Sequence, residues 1–145
     1  MTVIERPEGS PERFAPPTSA AAEPYWAATR ERRLDLQRCL TCDRAVHFPR
    51  EICPHCHGVE LSFATSAGVG AVYAVTIMPT PALPSMAGRA PYAVALVDLD
   101  DGVRMLTNLV GDGALDAVVG DRVRVAWEPL EDGRHLPVFV LDPTA

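Results

Sequence analysis

Cys39-Leu40-Thr41-Cys42, ten residues, then Cys53-Pro54-His55-Cys56: this stretch holds all four cysteines of a 145-residue chain. Each CxxC pair makes a tight turn that aims two sulfurs at one point, and a short hairpin between the pairs folds the turns together. Four thiolates so placed form a tetrahedral metal site. Zinc suits them, because thiolates are soft ligands and zinc imposes no geometry of its own. Four protein ligands leave no open coordination position, so the expected cofactor is one structural Zn²⁺ rather than a catalytic ion. Iron is allowed by the same ligands, and the sequence does not separate the two metals. Two disulfides are the competing chemistry, whereas a thioredoxin-type redox pair needs only one CxxC, at a helix start after a strand. The opening residues Met1-Thr2-Val3-Ile4-Glu5-Arg6-Pro7-Glu8 lack an apolar core and carry acids. A reducing, cytoplasmic setting with free thiols is therefore expected.

Working outward, Leu34-Asp35-Leu36-Gln37-Arg38 alternates like a strand and runs into the first turn, and Ala45-Val46-His47-Phe48-Pro49 alternates toward the second. Together these make a zinc ribbon. His47, His55 and His57 are close to it in sequence, but four cysteines already complete the ligand set, so these histidines are expected at the surface. Upstream, Glu23-Pro24 opens a helix running to about Arg33, with proline at its first position and an acid beside it. Tyr25 and Trp26 on so short a helix need an apolar surface. That surface is either this chain's own fold or a partner interface, where aromatics are enriched. Residues 1–22 are rich in Pro, Glu, Ser and Ala and are expected to form a flexible arm.

Past residue 58 the pattern is entirely β. Glu60–Thr65, Gly70–Met78, Tyr92–Leu99, Val103–Leu109, Arg122–Trp127 and Leu136–Leu141 are the expected strands, punctuated by turn residues. Asp100-Asp101-Gly102 and Glu131-Asp132-Gly133 are tight connections, with Gly where positive φ is needed. Gly113–Val118 supplies one helical turn. Short strands with one small helical interruption fit a closed OB-type barrel over residues 59–145. The expected class is thus mainly β: helix and zinc ribbon over 23–58, then the barrel. One connection, Pro79 to Pro91, is long for a compact domain, and such loops tend to carry function. It holds Leu83, Met86 and a single cation, Arg89.

Composition narrows the function. The formal net charge is −6. Residues 1–58 balance eight arginines with eight acids, whereas residues 59–145 set five arginines against eleven acids. Nucleic-acid affinity is dominated by phosphate contacts and demands a positive surface, so a nucleic-acid-binding ribbon and barrel is the weaker alternative and no nucleic-acid partner is expected. No apolar run approaches membrane-spanning length. The chain contains no GxSxG, P-loop, HExxH or dinucleotide fingerprint, and catalysis by this chain alone is not expected.

The helix containing Trp26, then Leu36-Gln37-Arg38-Cys39-x-x-Cys42, then Phe48-Pro49-Arg50-x-x-Cys53-Pro54-x-Cys56 resembles the zinc-ribbon motif of a bacterial and archaeal family. That family, long catalogued as a domain of unknown function, pairs a rubredoxin-like ribbon with an acyl-CoA-associated OB fold. Gly68–Thr76, Pro91–Leu99, Gly120-Asp121-Arg122-Val123 and Pro137-Val138-Phe139 resemble its barrel. The sequence departs from the family at the residue following each CxxC pair, Asp43 and His57, where Gly is common because it tolerates a left-handed turn. The resemblance implies an accessory subunit of a thiolase-like enzyme, such as a sterol side-chain aldolase, or of a MaoC-type hydratase, with acyl-CoA at the shared interface. It places a wall of the CoA-thioester channel near Tyr73, Tyr92, Met86 and Arg89, with Arg89 facing phosphate. Assembly is assigned to the ribbon and to the helix carrying Tyr25 and Trp26.

Overall fold

The computed structural model describes residues 2–145. Helix α1 (Glu23–Arg30) has Pro24 in its first turn beside the acidic Glu23, as helix starts favour. It stops short of Arg33 because Arg32 takes φ 56° and the Arg33 amide turns back to the Ala28 carbonyl. The chain then enters a three-stranded antiparallel sheet of β1 (Asp35–Cys39), β2 (Ala45–Val46) and β3 (Leu61–Thr65), in the order β2-β1-β3. Here the expected boundary at residue 59 moves. The Glu60–Thr65 segment, assigned above to the barrel, pairs with β1 from Asp35–Thr65 to Cys39–Leu61 and belongs to the ribbon.

Five strands close the barrel: β4 (Val69–Met78), β5 (Tyr92–Leu99), β6 (Arg104–Leu109), β7 (Arg122–Pro129) and β8 (His135–Leu141), in the order β4-β5-β6-β8-β7. Among these five strands one pairing is parallel, Leu109 with Phe139, and it joins β6 to β8. That is the OB arrangement. Burial along β5 alternates strictly, sending Ala93, Ala95, Val97 and Leu99 inward, as the period-2 geometry of a half-buried strand requires. Trp127 and Phe139, both essentially inaccessible, fill the centre. Gly70 is required by space rather than by a turn. A Cβ there would sit 2.3 Å from the Asp98 carbonyl oxygen on β5.

The first residues depart most from expectation. Thr2 to Arg13 lie along the barrel instead of forming a free arm. The reason is an open edge: β4 pairs with β7 only from Val69 to Ala71, and Val125 still donates to the Gly68 carbonyl. Two residues on, the Trp127 amide donates to Thr2 and its carbonyl accepts from Ile4. The segment thus continues the edge that β4 abandons, satisfying main-chain groups that burial would otherwise strand. Arg13 fastens its far end, its Nε lying 2.7 Å from Glu128 Oε2.

Tyr25 and Trp26 are also corrected. They are 2% and 4% exposed and so do not present a partner surface. Both pack on Phe48, and Tyr25 also packs on His47. On the barrel side Arg134 stacks over Trp26, and the His135 ring nitrogen meets the Thr29 carbonyl at 2.9 Å. Helix α1 therefore braces ribbon to barrel. Burial pushes the Tyr25 hydroxyl well above its ordinary pKa.

His47, expected at the surface, is instead part of this brace. Desolvation, helped by the Arg50 charge, brings its pKa down from 6.5 to about 4. Above pH 6.5 the folded and unfolded chains both hold a neutral imidazole. Below it the unfolded chain takes a proton that the native chain refuses, so stability should fall as pH drops from about 6.5 toward about 4. Urea denaturation of zinc-loaded protein at several pH values should show this loss, and His47→Gln should flatten the difference in that window. Gly70→Ala should destabilise the fold by about 1–3 kcal/mol through overpacking, read as a lower thermal midpoint.

Candidate metal centre and barrel cleft

Two matching turns hold the cysteines. In the first, the Asp43 amide donates to the Cys39 carbonyl and the Cys39 amide to the Arg44 carbonyl. In the second, the His57 amide donates to Cys53 and the Cys53 amide to Gly58. The turns need a left-handed residue in the same place, and Asp43 (φ 61°) and His57 (φ 64°) adopt it. The departures from Gly noted above are therefore accommodated. The four sulfurs lie within 4.8 Å of one another, with Cys39–Cys56 at 3.6 Å and Cys42–Cys53 at 3.7 Å. A tetrahedron with zinc–sulfur bonds of about 2.3 Å has edges of about 3.8 Å. A disulfide needs about 2.05 Å, so the cysteines are free thiols placed for a metal.

The surrounding amides favour thiolate. Gly58 donates to Cys56 Sγ at 3.3 Å and His55 to Cys53 Sγ at 3.4 Å. The Cys42 and Thr41 amides bring the Cys39 pKa down to about 6, while desolvation pushes Cys42 up to about 11. A divalent cation held by Cys39, Cys42, Cys53 and Cys56 would remove that conflict, since all four sulfurs would then be deprotonated. His55 and His57 are exposed, and no histidine belongs to the ligand group.

The loop residues behave less uniformly. Met86, Arg89 and Tyr92 come together in a cleft at one end of the barrel, but Tyr73 does not. Tyr73 sits at a bulge toward the other end of the β4–β5 ladder, half exposed, with the Arg104 guanidinium 3.3 Å over its ring. Tyr92 uses its hydroxyl to accept from the Ala82 amide, tying down the long loop. Arg89 is not a free surface cation: its Nη1 lies 2.7 Å from Glu128 Oε1, with side-chain exposures of 7% and 3%. Glu128 also holds Arg13, which in turn donates to Asn108 Oδ1 at 2.9 Å. Arg13 and Glu128 escaped the sequence reading. One lay in a Pro-rich stretch, and the other extended a strand expected to end at Trp127. An acid continuing an apolar strand was the only available signal.

The geometry defines a class, a rubredoxin-like zinc ribbon braced to an OB barrel. Family models described as "ChsH2, rubredoxin-like zinc ribbon domain" and "ChsH2, C-terminal OB-fold domain" match residues 26–62 and 64–128. One chain of the solved "Ltp2-ChsH2(DUF35) aldolase" is 35% identical with a TM-score of 0.77, covering 88% of this chain and 98% of that one. A "Probable enoyl-CoA hydratase alpha subunit" of Thermomonospora curvata is 36% identical over 137 residues. That match takes in 93% of this chain but 42% of the relative, so this chain spans less than half its length. A "DUF35 domain-containing scaffold protein" of Methanocaldococcus jannaschii is 32% identical over 99 residues, 66% of this chain and 69% of that one. The chain belongs to the DUF35 family, in the ChsH2-type form that joins a zinc ribbon to an OB fold.

Stripping the metal with a strong chelator should unfold the ribbon while the barrel persists. Circular dichroism and near-ultraviolet Trp signals should show partial loss, with one equivalent of zinc released per chain. Cys39→Ser should reproduce this state without chelator.

Proposed function

We propose that this chain is a non-catalytic accessory subunit of the cytoplasm, stabilised by one structural Zn²⁺. It assembles with a thiolase-like acyl-CoA enzyme, such as an aldolase of steroid or lipid side chains, or with a MaoC-type hydratase. There it walls off part of the CoA-thioester channel. The observation carrying this reading is the likeness over nearly the whole of one chain of an aldolase assembly, ribbon and barrel together. The name of the Thermomonospora curvata relative, a hydratase subunit, supports it from a second direction.

The charges say how labour is divided. Each of the five arginines between residues 59 and 145 is paired with a carboxylate: Arg89 with Glu128, Arg104 with Asp98, Arg122 with Asp100, Arg124 with Asp142 and Arg134 with Asp132. Among the described residues, the barrel half therefore offers no exposed run of unpaired arginines to a polyanion, and arginines without a carboxylate partner, such as Arg32, Arg44 and Arg50, lie in the helix and ribbon. The CoA phosphates are therefore held by the catalytic partner, and this chain contributes orientation of the pantetheine arm. The same pairing opposes a nucleic-acid surface. Leu83, 59% exposed in the 79–91 loop, and Leu106, 72% exposed on β6, are the apolar contacts offered to the partner. Among the described residues, no helix is long and apolar enough to cross a membrane.

Co-expression with the thiolase-like or MaoC-type enzyme encoded beside it should give one co-eluting complex. Leu83→Asp should weaken that complex by about tenfold or more, the loss of one buried apolar anchor, without lowering the thermal midpoint of the free chain. Separate elution from both enzymes, or thioester turnover by the isolated chain, would overturn the assignment.

A further inference from the structure

The cleft between the 79–91 loop, the docked N-terminal segment and the ends of β5, β6 and β7 has a volume of about 260 Å³. Its walls are of two kinds. Met86, Pro91, Tyr92, Leu109 and Leu115 make an apolar side, while Arg13, Arg89, Asn108 and Glu128 make a polar one. On the polar side two guanidinium groups share a single carboxylate, Arg13 through Oε2 and Arg89 through Oε1. All three side chains are nearly closed off, at 11%, 7% and 3% exposed. The inner wall therefore holds one positive charge more than it neutralises.

The surplus sits on a particular edge. Arg89 spends Nη1 on Glu128, while its Nε and Nη2 are buried and meet no acceptor. Nε and Nη2 are the two parallel donors that a carboxylate takes side-on. Neighbouring groups are already committed. Asn108 Oδ1 accepts from Arg13 and its Nδ2 donates to the Ala93 carbonyl, while Tyr92 Oη accepts from Ala82. Buried charged donors without an acceptor are costly, and most such groups in native proteins have a partner.

We propose that this cleft binds a short aliphatic monocarboxylate. Its oxygens take the unpartnered Nε/Nη2 fork of Arg89, and its alkyl chain lies among Met86, Tyr92, Leu109 and Leu115. One negative charge balances the inner wall. A phosphate dianion overshoots it and also meets exposed Glu5 at the cleft. The inference does not rest on assembly with an acyl-CoA enzyme, because the site is built from this chain alone.

The test uses the full zinc-loaded chain, titrated with sodium butyrate, 1-butanol and inorganic phosphate at matched ionic strength, and followed by amide chemical shifts. Butyrate should saturate, shifting Tyr92, Asn108 and Leu115, and should bind at least about tenfold more tightly than either comparison ligand, as a charge-assisted bidentate pair requires. Leu115→Trp, at a residue 46% exposed, should block the cleft and abolish saturation with the thermal midpoint unchanged. Arg89→Lys should lose the butyrate preference. Butyrate shifts no larger than those of butanol, tighter binding of phosphate, or full binding by Leu115→Trp would each overturn the proposal. Should Arg89→Lys fail to fold, the Leu115→Trp and butanol comparisons still decide it.

Discussion

Four thiolates converging on one point are the constraint on which the ribbon depends. The lobe's own buried cluster is Cys39, Val46 and Cys53, with Cys42 and Leu61 packed beside it, and β2 is two residues long. Apolar burial on that scale cannot offset the entropy of ordering the two turns. Zinc binding in small thiolate peptides releases about 10–16 kcal/mol, enough to close the gap. Everything downstream follows: fixed turns set the register of β1, and β1 carries both β2 and β3. The tetrathiolate centre also determines where Phe48 and His47 stand to receive α1.

The barrel is held by different physics. Its core is continuous with the helix, running from Tyr25 and Trp26 through Leu36 to Trp127 and Phe139. Outside, arginines and acids neutralise one another at short range, so an overall acidic surface has few free cations. Such exposed pairs add little stability, of order 0–1 kcal/mol each, but they shape what can approach. The exposed arginines of the barrel are tied to acids, whereas Leu83 and Leu106 stand uncovered.

Much of this was legible in the sequence. Ligand spacing, strand alternation and the Asp-Gly turns each act locally, so the metal site, all the barrel strands and the turn at Ala114–Asp116 could be placed before any coordinates. What stayed hidden was decided by pairing across distance. β3 follows the ribbon because five positions of β1 lay open to it. Residues 2–4 dock because β4 leaves part of β7 bare, a fact with no trace in a Pro-rich stretch. Arg89 looked like a solitary loop cation because its carboxylate lies 39 positions away on another strand. His47 resembled a surface residue until its aromatic neighbours were in place.

The brace has one more consequence. Thr29 commits its carbonyl to the His135 ring, while its hydroxyl donates to Trp26 and accepts from the His135 amide. Arg30 reaches the Asp132 carbonyl in the same hairpin. Ribbon and barrel are thus not interchangeable beads on a string. A chimera that borrows the metal-binding lobe from a cousin must import the helix and the 130–135 hairpin with it, or the transplanted finger will swing free.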